Sequence, residues 1–388
     1  MVPMKLQRLC SRFFSLCLII PLGIGLRPVA KKRKSNSSSQ IHHEKHLRHK
    51  NDPSILNDEH TGPIISLQDQ LDYSRYGHAA LRSFLPQKLI QQLRTELIPH
   101  AKSHSLSAWR QKVEVQLNDS SDEYYKENAC TIADNLKSVQ ECQDLLESLG
   151  LDPLSGDLPF LQHFNTWRSS PSGNDKTPTV RKLCLSSYLA QSASILLNAP
   201  TIRLYQDSLF HKRLGDGWTP WHSDARMAPF DTSKMITFWI PLQNVPTPEE
   251  GGTGLQFVDG SHSDFALPYW NGVDGNEYDR LENRYDNDRV SHHMPLKLGD
   301  ITIHNGWTLH CADAADYMED GEDRYAFSIT YVDGRAEVRE DVLATESDAS
   351  SKGDNEDIWS FRSWVKDIKP RSRFRHPQVP IVWPIDSK

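Results

Sequence analysis

The stretch TPWHSDARMAPF, residues 219–230, sets an imidazole and a carboxylate two positions apart, at His222 and Asp224. In an extended segment, residues i and i+2 project to the same side. One further imidazole would complete the two-histidine, one-carboxylate set that holds non-haem Fe(II) and leaves three coordination positions open. The triplet is not diagnostic alone. With 17 histidines and 33 aspartates in 388 residues an H-x-D is expected by chance, and the chain holds a second at His262-Ser-Asp264.

The best second imidazole is His310, in GDITIHNGWTLHCA (299–312). Gly299-Asp300 reads as a turn, ITIH as a strand and Asn305-Gly306 as another turn, after which the chain brings His310 in. His304 is the rival. It lies on the strand itself, where a half-buried structural histidine is the plain reading. The choice of His310 leans on Arg324, at the start of RYAFSITYV, where alternation puts Arg324, Ala326 and Ser328 on one face. A guanidinium's planar fork suits a carboxylate. Unpaired inside a small barrel, it would be costly. A dicarboxylate cosubstrate would supply the anion while its other end chelates the metal; a structural ion pair is the plainer alternative.

These residues need a β scaffold. After Pro200, the segments 201–212, 235–245, 253–260, 298–306 and 324–334 are short, rich in aromatic and β-branched residues, and bounded by Gly, Pro, Asn or Asp. That is the pattern of an all-β sandwich or barrel. Before it, 78–84 reads as a strand. Pro86 opens a helix carrying Leu89, Ile90, Leu93 and Leu97, with Pro99 as its end, and 181–197 reads as a second helix. Residues 100–180 suggest two short helices and long loops. The insert 265–290, with Tyr269 and Trp270, is a long loop and a candidate lid. Residues 337–357 are acidic and Ser-rich. Trp359, Phe361, Trp364 and Phe374 of the tail, 358–388, are expected to pack back on the barrel.

Composition narrows the function. The chain is 24% charged and 37% hydrophobic, with a net charge of −7, which gives no pull towards nucleic acid. Six cysteines without C-x-x-C spacing suggest neither a disulfide scaffold nor a zinc ribbon. Residues 1–43 are basic and acid-free around an apolar run at 13–26. That start reads as a secretory signal, a possible membrane anchor or an organelle transit peptide. Asn36 and Asn118 begin glycosylation sequons, useful only on the secretory route. Residues 35–62 read as disordered.

Taken together, the motifs resemble the phytanoyl-CoA dioxygenase family of Fe(II)/2-oxoglutarate oxygenases. The residues that carry the resemblance are W-H-x-D at 221–224, F-W-I-P-L with Trp239, G-G-T-G-L…D-G-S-H at 251–262, G-D-I-T-I-H…L-H at 299–310 and R-Y-A-F-S-I-T-Y-V at 324–332. L-Y-Q-D-S-L-F (204–210) and the opening Y-x-x-x-G-H-A-A-L-R-S-F-L (73–85) extend it over roughly 70–335. The resemblance implies a mainly β fold with flanking helices, a double-stranded β-helix of the jelly-roll, cupin-like kind. Composition and the element pattern divide the chain into a leader and disordered segment at 1–63, a domain at 64–335, and an acidic loop and tail at 336–388.

It also implies Fe(II) on His222, Asp224 and His310, 2-oxoglutarate with its distal carboxylate on Arg324, Trp239 beside that cosubstrate, and Gln206 lining the pocket. With O2, such a site would hydroxylate an unactivated C–H bond of a small molecule and release succinate and CO2. His262 would be structural. Relatives often carry H-x-S at the distal histidine; here it is His310-Cys-Ala312, so that hydroxyl is absent or replaced by Ser328. The filled Asp224 position points away from halogenation. Trp167-Arg168 and Lys212 are further candidates for an anionic substrate. A non-oxidative Zn(II) or Mn(II) cupin-like enzyme, or a silent binding module of the same fold, would use the same scaffold. No protein partner is called for.

Overall fold

The computed structural model describes residues 65–118, 120–151, 160–168, 177–265, 284–315, 323–340, 361–365 and 368–384. Helix α1 (Leu67–Tyr76) starts at Ser66, which forms a capping box with Asp69, and stops at Gly77 with φ 85°. A side chain at Gly77 would run into His262 and Thr308, so glycine is required there twice over. Strand β1 (His78–Leu81) follows, then α2 (Gln87–Ser103), α3 (Ser105–Asn118), α4 (Glu123–Asn135), α5 (Val139–Ser148), β2 (Leu161–Phe164), α6 (Pro178–Cys184) and α7 (Ser187–Leu197). The β-rich part comprises β3 (Ile202–Lys212), β4 (Thr219–His222), a single turn α8 (Asp224–Met227), β5 (Phe230–Asp231), β6 (Met235–Pro241), β7 (Leu255–Val258), β8 (Val290–His292), β9 (Ile301–Asn305), β10 (His310–Ala312), β11 (Arg324–Asp333) and β12 (Glu337–Val338). A short α9 (Arg362–Val365) and β13 (Ile381–Trp383) close the chain.

Two antiparallel sheets face each other as a double-stranded β-helix. The major sheet runs β1-β9-β6-β11-β3-β13, with β2 also on β3; the minor sheet runs β4-β10-β7-β8. Strand alternation sorts the major sheet's side chains. Ile236, Phe238, Ile240, Ile301, Ile303, Phe327 and Ile329 point outward and bury against Leu89, Ile90, Leu93 and Leu97 of α2, Leu183 of α6 and Leu189 of α7. Thr237, Trp239, His304, Ser328 and Thr330 point inward, towards the minor sheet. The barrel interior is therefore polar and aromatic, while the main apolar core lies outside it. Helices α3 to α5 have their own cluster around Trp109, Val113, Leu117 and Leu146, which closes on Leu161 of β2.

The structure corrects the helical boundaries. Pro99 does not end α2, which continues to Ser103. Pro99 and Thr95 are both on the exposed face, so the carbonyl that loses its N–H partner reaches water while Leu97 and Ala101 stay buried. The segment 181–197 is two helices, because the Ser186 hydroxyl caps α7 by accepting from the Leu189 N–H at 3.3 Å. Residues 100–180 hold the three helices α3 to α5 and strand β2, more order than their polar texture suggests. Strand β1 stops at Leu81, short of the expected 84.

Phe361, Trp364 and Phe374 pack with Tyr205, Phe230 and Val332, and β13 joins β3, so the tail does return to the barrel. Trp359 lies outside the described residues, as do the leader with its apolar run, Asn36, and Tyr269 and Trp270 of the candidate lid. Among the described residues, no helix is long and apolar enough to cross a membrane.

Candidate metal centre and cosubstrate pocket

His222 is the last residue of β4 and His310 the first of β10, and the two are antiparallel Cα partners. Asp224 is not on the strand, as the i, i+2 argument assumed. The chain leaves β4 at Ser223 and Asp224 opens the single turn α8. Its direction is set from across the barrel. The Ala225 N–H donates to the Gly306 carbonyl at 2.8 Å, and the Gly306 N–H donates to Met235 at 2.8 Å. The Asn305-Gly306 turn thus carries the Asp224 backbone. A Cβ at Gly306 would lie 2.9 Å from Met235 Cβ and 3.1 Å from Ala225 Cβ, so only glycine allows this approach.

One nitrogen, or one carboxylate oxygen, of each of His222, Asp224 and His310 lies within 4.8 Å of those of the other two. Asp224 Oδ1 is 3.7 Å from His222 Nε2 and 3.6 Å from His310 Nε2. Each ring is oriented by its other nitrogen: His222 Nδ1 donates to the Pro220 carbonyl at 2.8 Å and His310 Nδ1 to the Thr308 carbonyl at 3.0 Å. The Nε2 lone pairs are left facing the centre, the arrangement usual for metal-bound histidines.

Burial by itself would raise the Asp224 carboxyl, but the imidazoles of His310, His304 and His222 hold it well below the usual range. Burial, with the charges of His222 and His304, pushes His310 well down. Those shifts favour an Asp224 carboxylate and a neutral His310 imidazole, the forms in which these two groups bind a dication.

His304 takes a different place from the rival role. It is 1% exposed, and its Nε2–H donates at 3.2 Å to Asp224 Oδ2, not to the Oδ1 that lies nearest His222 and His310. The Thr237 hydroxyl donates to the same oxygen at 2.7 Å. Neither contact was read from the sequence. The alternation of β9 gave a signal for His304, since it shares a face with Thr302, but nothing local pointed to Asp224.

Further along the barrel, Arg324 begins β11 opposite Lys212 of β3. Its Nε is buried without a hydrogen-bond partner among the described residues. Ser328 is buried between Ser208 and Trp239, its Cα partners, and Gln206 is paired with Thr330. Trp239 packs with Val245, Met294 and Leu296. These residues form a continuous wall from the His–Asp–His group towards Arg324. At the position where relatives carry a hydroxyl, Ala312 is buried and apolar; Cys311 beside it is buried too, and burial pushes its thiol up to about 12.

The remaining candidates each engage groups of the protein. Lys212 donates to the Asp313 carbonyl and lies over the Phe160 ring at 5.6 Å. Trp167 is in the main core, with its backbone N–H on the Asp207 carboxylate at 2.9 Å, and the Arg168 N–H donates to the Asn165 carbonyl at 3.1 Å. In the second H-x-D, His262 donates to the Ser74 carbonyl at 3.2 Å and Asp264 accepts from Arg284 and from the Tyr285 hydroxyl, both at 2.9 Å. Those bonds engage His262 and Asp264 with different partners.

The family profile described as phytanoyl-CoA dioxygenase matches residues 73–315. Among solved structures, the non-heme alpha ketoglutarate dependent carbocyclase SnoK from nogalamycin biosynthesis superposes with a TM-score of 0.51 at 17% identity, over 82% of this chain and 96% of that one. The epimerase SnoN of the same pathway gives 0.47 at 20% identity, over 81% and 96%. EctD from S. alaskensis, solved with 2-oxoglutarate and 5-hydroxyectoine, gives 0.45 at 16% identity, over 76% and 85%. No curated protein matches the chain significantly in sequence.

Proposed function

Because the chain belongs to the phytanoyl-CoA dioxygenase family, whose members are iron- and 2-oxoglutarate-dependent oxygenases, we propose that it hydroxylates an unactivated C–H bond of a small molecule, with release of succinate and CO2. The observation that carries this reading is the meeting of His222 Nε2, His310 Nε2 and Asp224 Oδ1 at one point, with every other polar atom of the three held by the protein. In this reading these three side chains hold Fe(II), which supplies the activation of O2 when the 2-oxo acid is bound.

The protein's own contribution is orientation, charge and exclusion of water. Arg324 receives the distal carboxylate of 2-oxoglutarate, an assignment supported by its buried, unmatched Nε at the far end of the same interior face. Ser328 is the hydroxyl on that wall able to stand in for the one missing at Ala312. Trp239 and Gln206 bound the cosubstrate on the major-sheet side. The polar inner face keeps charged ligands solvated by fixed dipoles, and the outward placement of the apolar core leaves the interior free for them.

The test is anaerobic reconstitution with Fe(II) and 2-oxoglutarate, followed by O2 and a metabolite pool. The proposal expects succinate formation and a product heavier by one oxygen atom. Succinate with no oxygen inserted into any product would remove the hydroxylation while leaving the oxygenase class intact. Turnover supported by Zn(II) or Mn(II) without 2-oxoglutarate would replace it by the non-oxidative alternative.

A further inference from the structure

We propose that His304 and Thr237 are positioning residues that hold Asp224 as a one-oxygen ligand, and so preserve the open coordination positions that a chelating cosubstrate and O2 need. This rests on the reading of His222, Asp224 and His310 as the metal ligands.

The argument starts from capacity. A carboxylate oxygen has two in-plane acceptor directions. Asp224 Oδ2 receives two donors, Thr237 Oγ1 at 2.7 Å and His304 Nε2 at 3.2 Å, while Oδ1 faces the two ligand imidazoles. With Oδ2 occupied, Asp224 offers one atom to a metal. If it swung to offer both, the triad would take four of six octahedral positions. Only two would then remain where three are required.

The donors cannot easily follow such a swing. His304, Thr237 and Thr330 are neighbours in one row across three adjacent strands: Thr237 is the Cα partner of His304 on β9 and of Thr330 on β11. The Thr237 and Thr330 hydroxyls are 3.1 Å apart, so Thr330 supports Thr237 from behind. The His304 ring is held between His310, with centroids 4.3 Å apart, and Phe257 at 5.7 Å. A row hydrogen-bonded across a sheet is as rigid as the fold offers.

One further observation separates this role from simple packing. His304 Nδ1 is buried with no hydrogen-bond partner, among the described residues. A core chosen only for fit would place an apolar residue there, because a buried unpaired acceptor is unfavourable. The ring's other nitrogen is where it acts.

The test uses Co(II), whose d–d absorption reports coordination number without turnover. His304→Leu and Thr237→Val remove a donor each; His304→Gln and Thr237→Ser keep one. The expected result is a Co(II) dissociation constant raised about tenfold or more in the two donor-less variants. Their d–d spectra should change, and 2-oxoglutarate should no longer perturb them as it does wild type. The Gln and Ser variants should restore both readouts. If His304→Leu does not fold, the Thr237→Val and Thr237→Ser pair decides alone. Wild-type affinity and spectra in Thr237→Val, checked for folding by thermal melting, overturn the proposal while the metal reading stands. A wild-type protein that takes up no Co(II) overturns both.

Discussion

His222 and His310 stand directly opposite each other across β4 and β10. Their ring centroids are 4.1 Å apart and inclined at 50°. In an antiparallel pair this brings two side chains together on the same face, and here that face points at Asp224. The two imidazoles are thus placed by sheet register, and Asp224 by the turn that follows β4.

The first prediction concerns these ligands. Replacing either histidine by alanine should reduce 2-oxoglutarate-dependent succinate formation to background. Because His222 is only partly buried, its variant should melt close to wild type in the absence of metal. A succinate assay paired with calorimetry checks both halves. Retained turnover in either variant would remove the residue from the metal set.

Arg324 should act on cosubstrate affinity. Arg324→Leu is expected to raise the KM for 2-oxoglutarate by about ten- to a hundredfold, the worth of a charge-assisted hydrogen bond. Arg324→Lys should recover only part of it, since an ammonium lacks the two-pronged geometry. Steady-state kinetics against 2-oxoglutarate measure this. A variant with unchanged KM would return Arg324 to the structural reading.

Lys112 gives a pH dependence. It is 5% exposed, 3.6 Å from Asp216, on the loop that leads into β4. Burial lowers it from 10.5 to about 8, despite the Asp216 charge. With the folded value below the unfolded one, the unfolded chain binds more protons between about 8 and 10.5, so stability rises with pH through that window. Below it the full penalty is present, on the order of 3 kcal/mol. Lys112→Met should therefore be more stable than wild type at neutral pH, since Asp216 keeps Arg213 at 2.6 Å, and the gain should shrink above the window. Urea unfolding of both proteins at several pH values tests this; a gain that does not change with pH counts against it.

Gly306→Ala tests the link between the turn and the carboxylate. The new methyl meets Met235 and Ala225, which must shift. Overpacking of this kind costs about 1–3 kcal/mol. Because the Ala225 N–H is bonded to Gly306, the displacement passes to Asp224, and metal affinity should fall together with stability. Co(II) titration beside a thermal melt separates the two; a destabilised variant with wild-type affinity would show that Asp224 is placed by other contacts.

Much of this was legible along the chain. The β-rich half declared itself through segments such as RYAFSITYVDG and MITFWIPL, whose period-two texture is a local property. The inward set of Arg324 and Ser328 followed from the same alternation. The helical half was less legible, because Pro99 and the polar run 100–180 carry signals that burial of Leu97 and Ala101 on one side and Trp109 and Leu117 on the other overrides.

By itself, the sequence determined the kinds of group available: two imidazoles, a carboxylate and a guanidinium on or next to strands, within a chain of β character. Only the tertiary structure decided which histidine faces which oxygen. On paper the preference for His310 over His304 leaned on Arg324 alone; the pairing of β10 with β4, and of β9 with β6, puts His310 beside Oδ1 and His304 behind Oδ2. Strand periodicity is written in neighbouring residues, whereas register between strands is a contest among distant segments that closes only when the whole barrel packs.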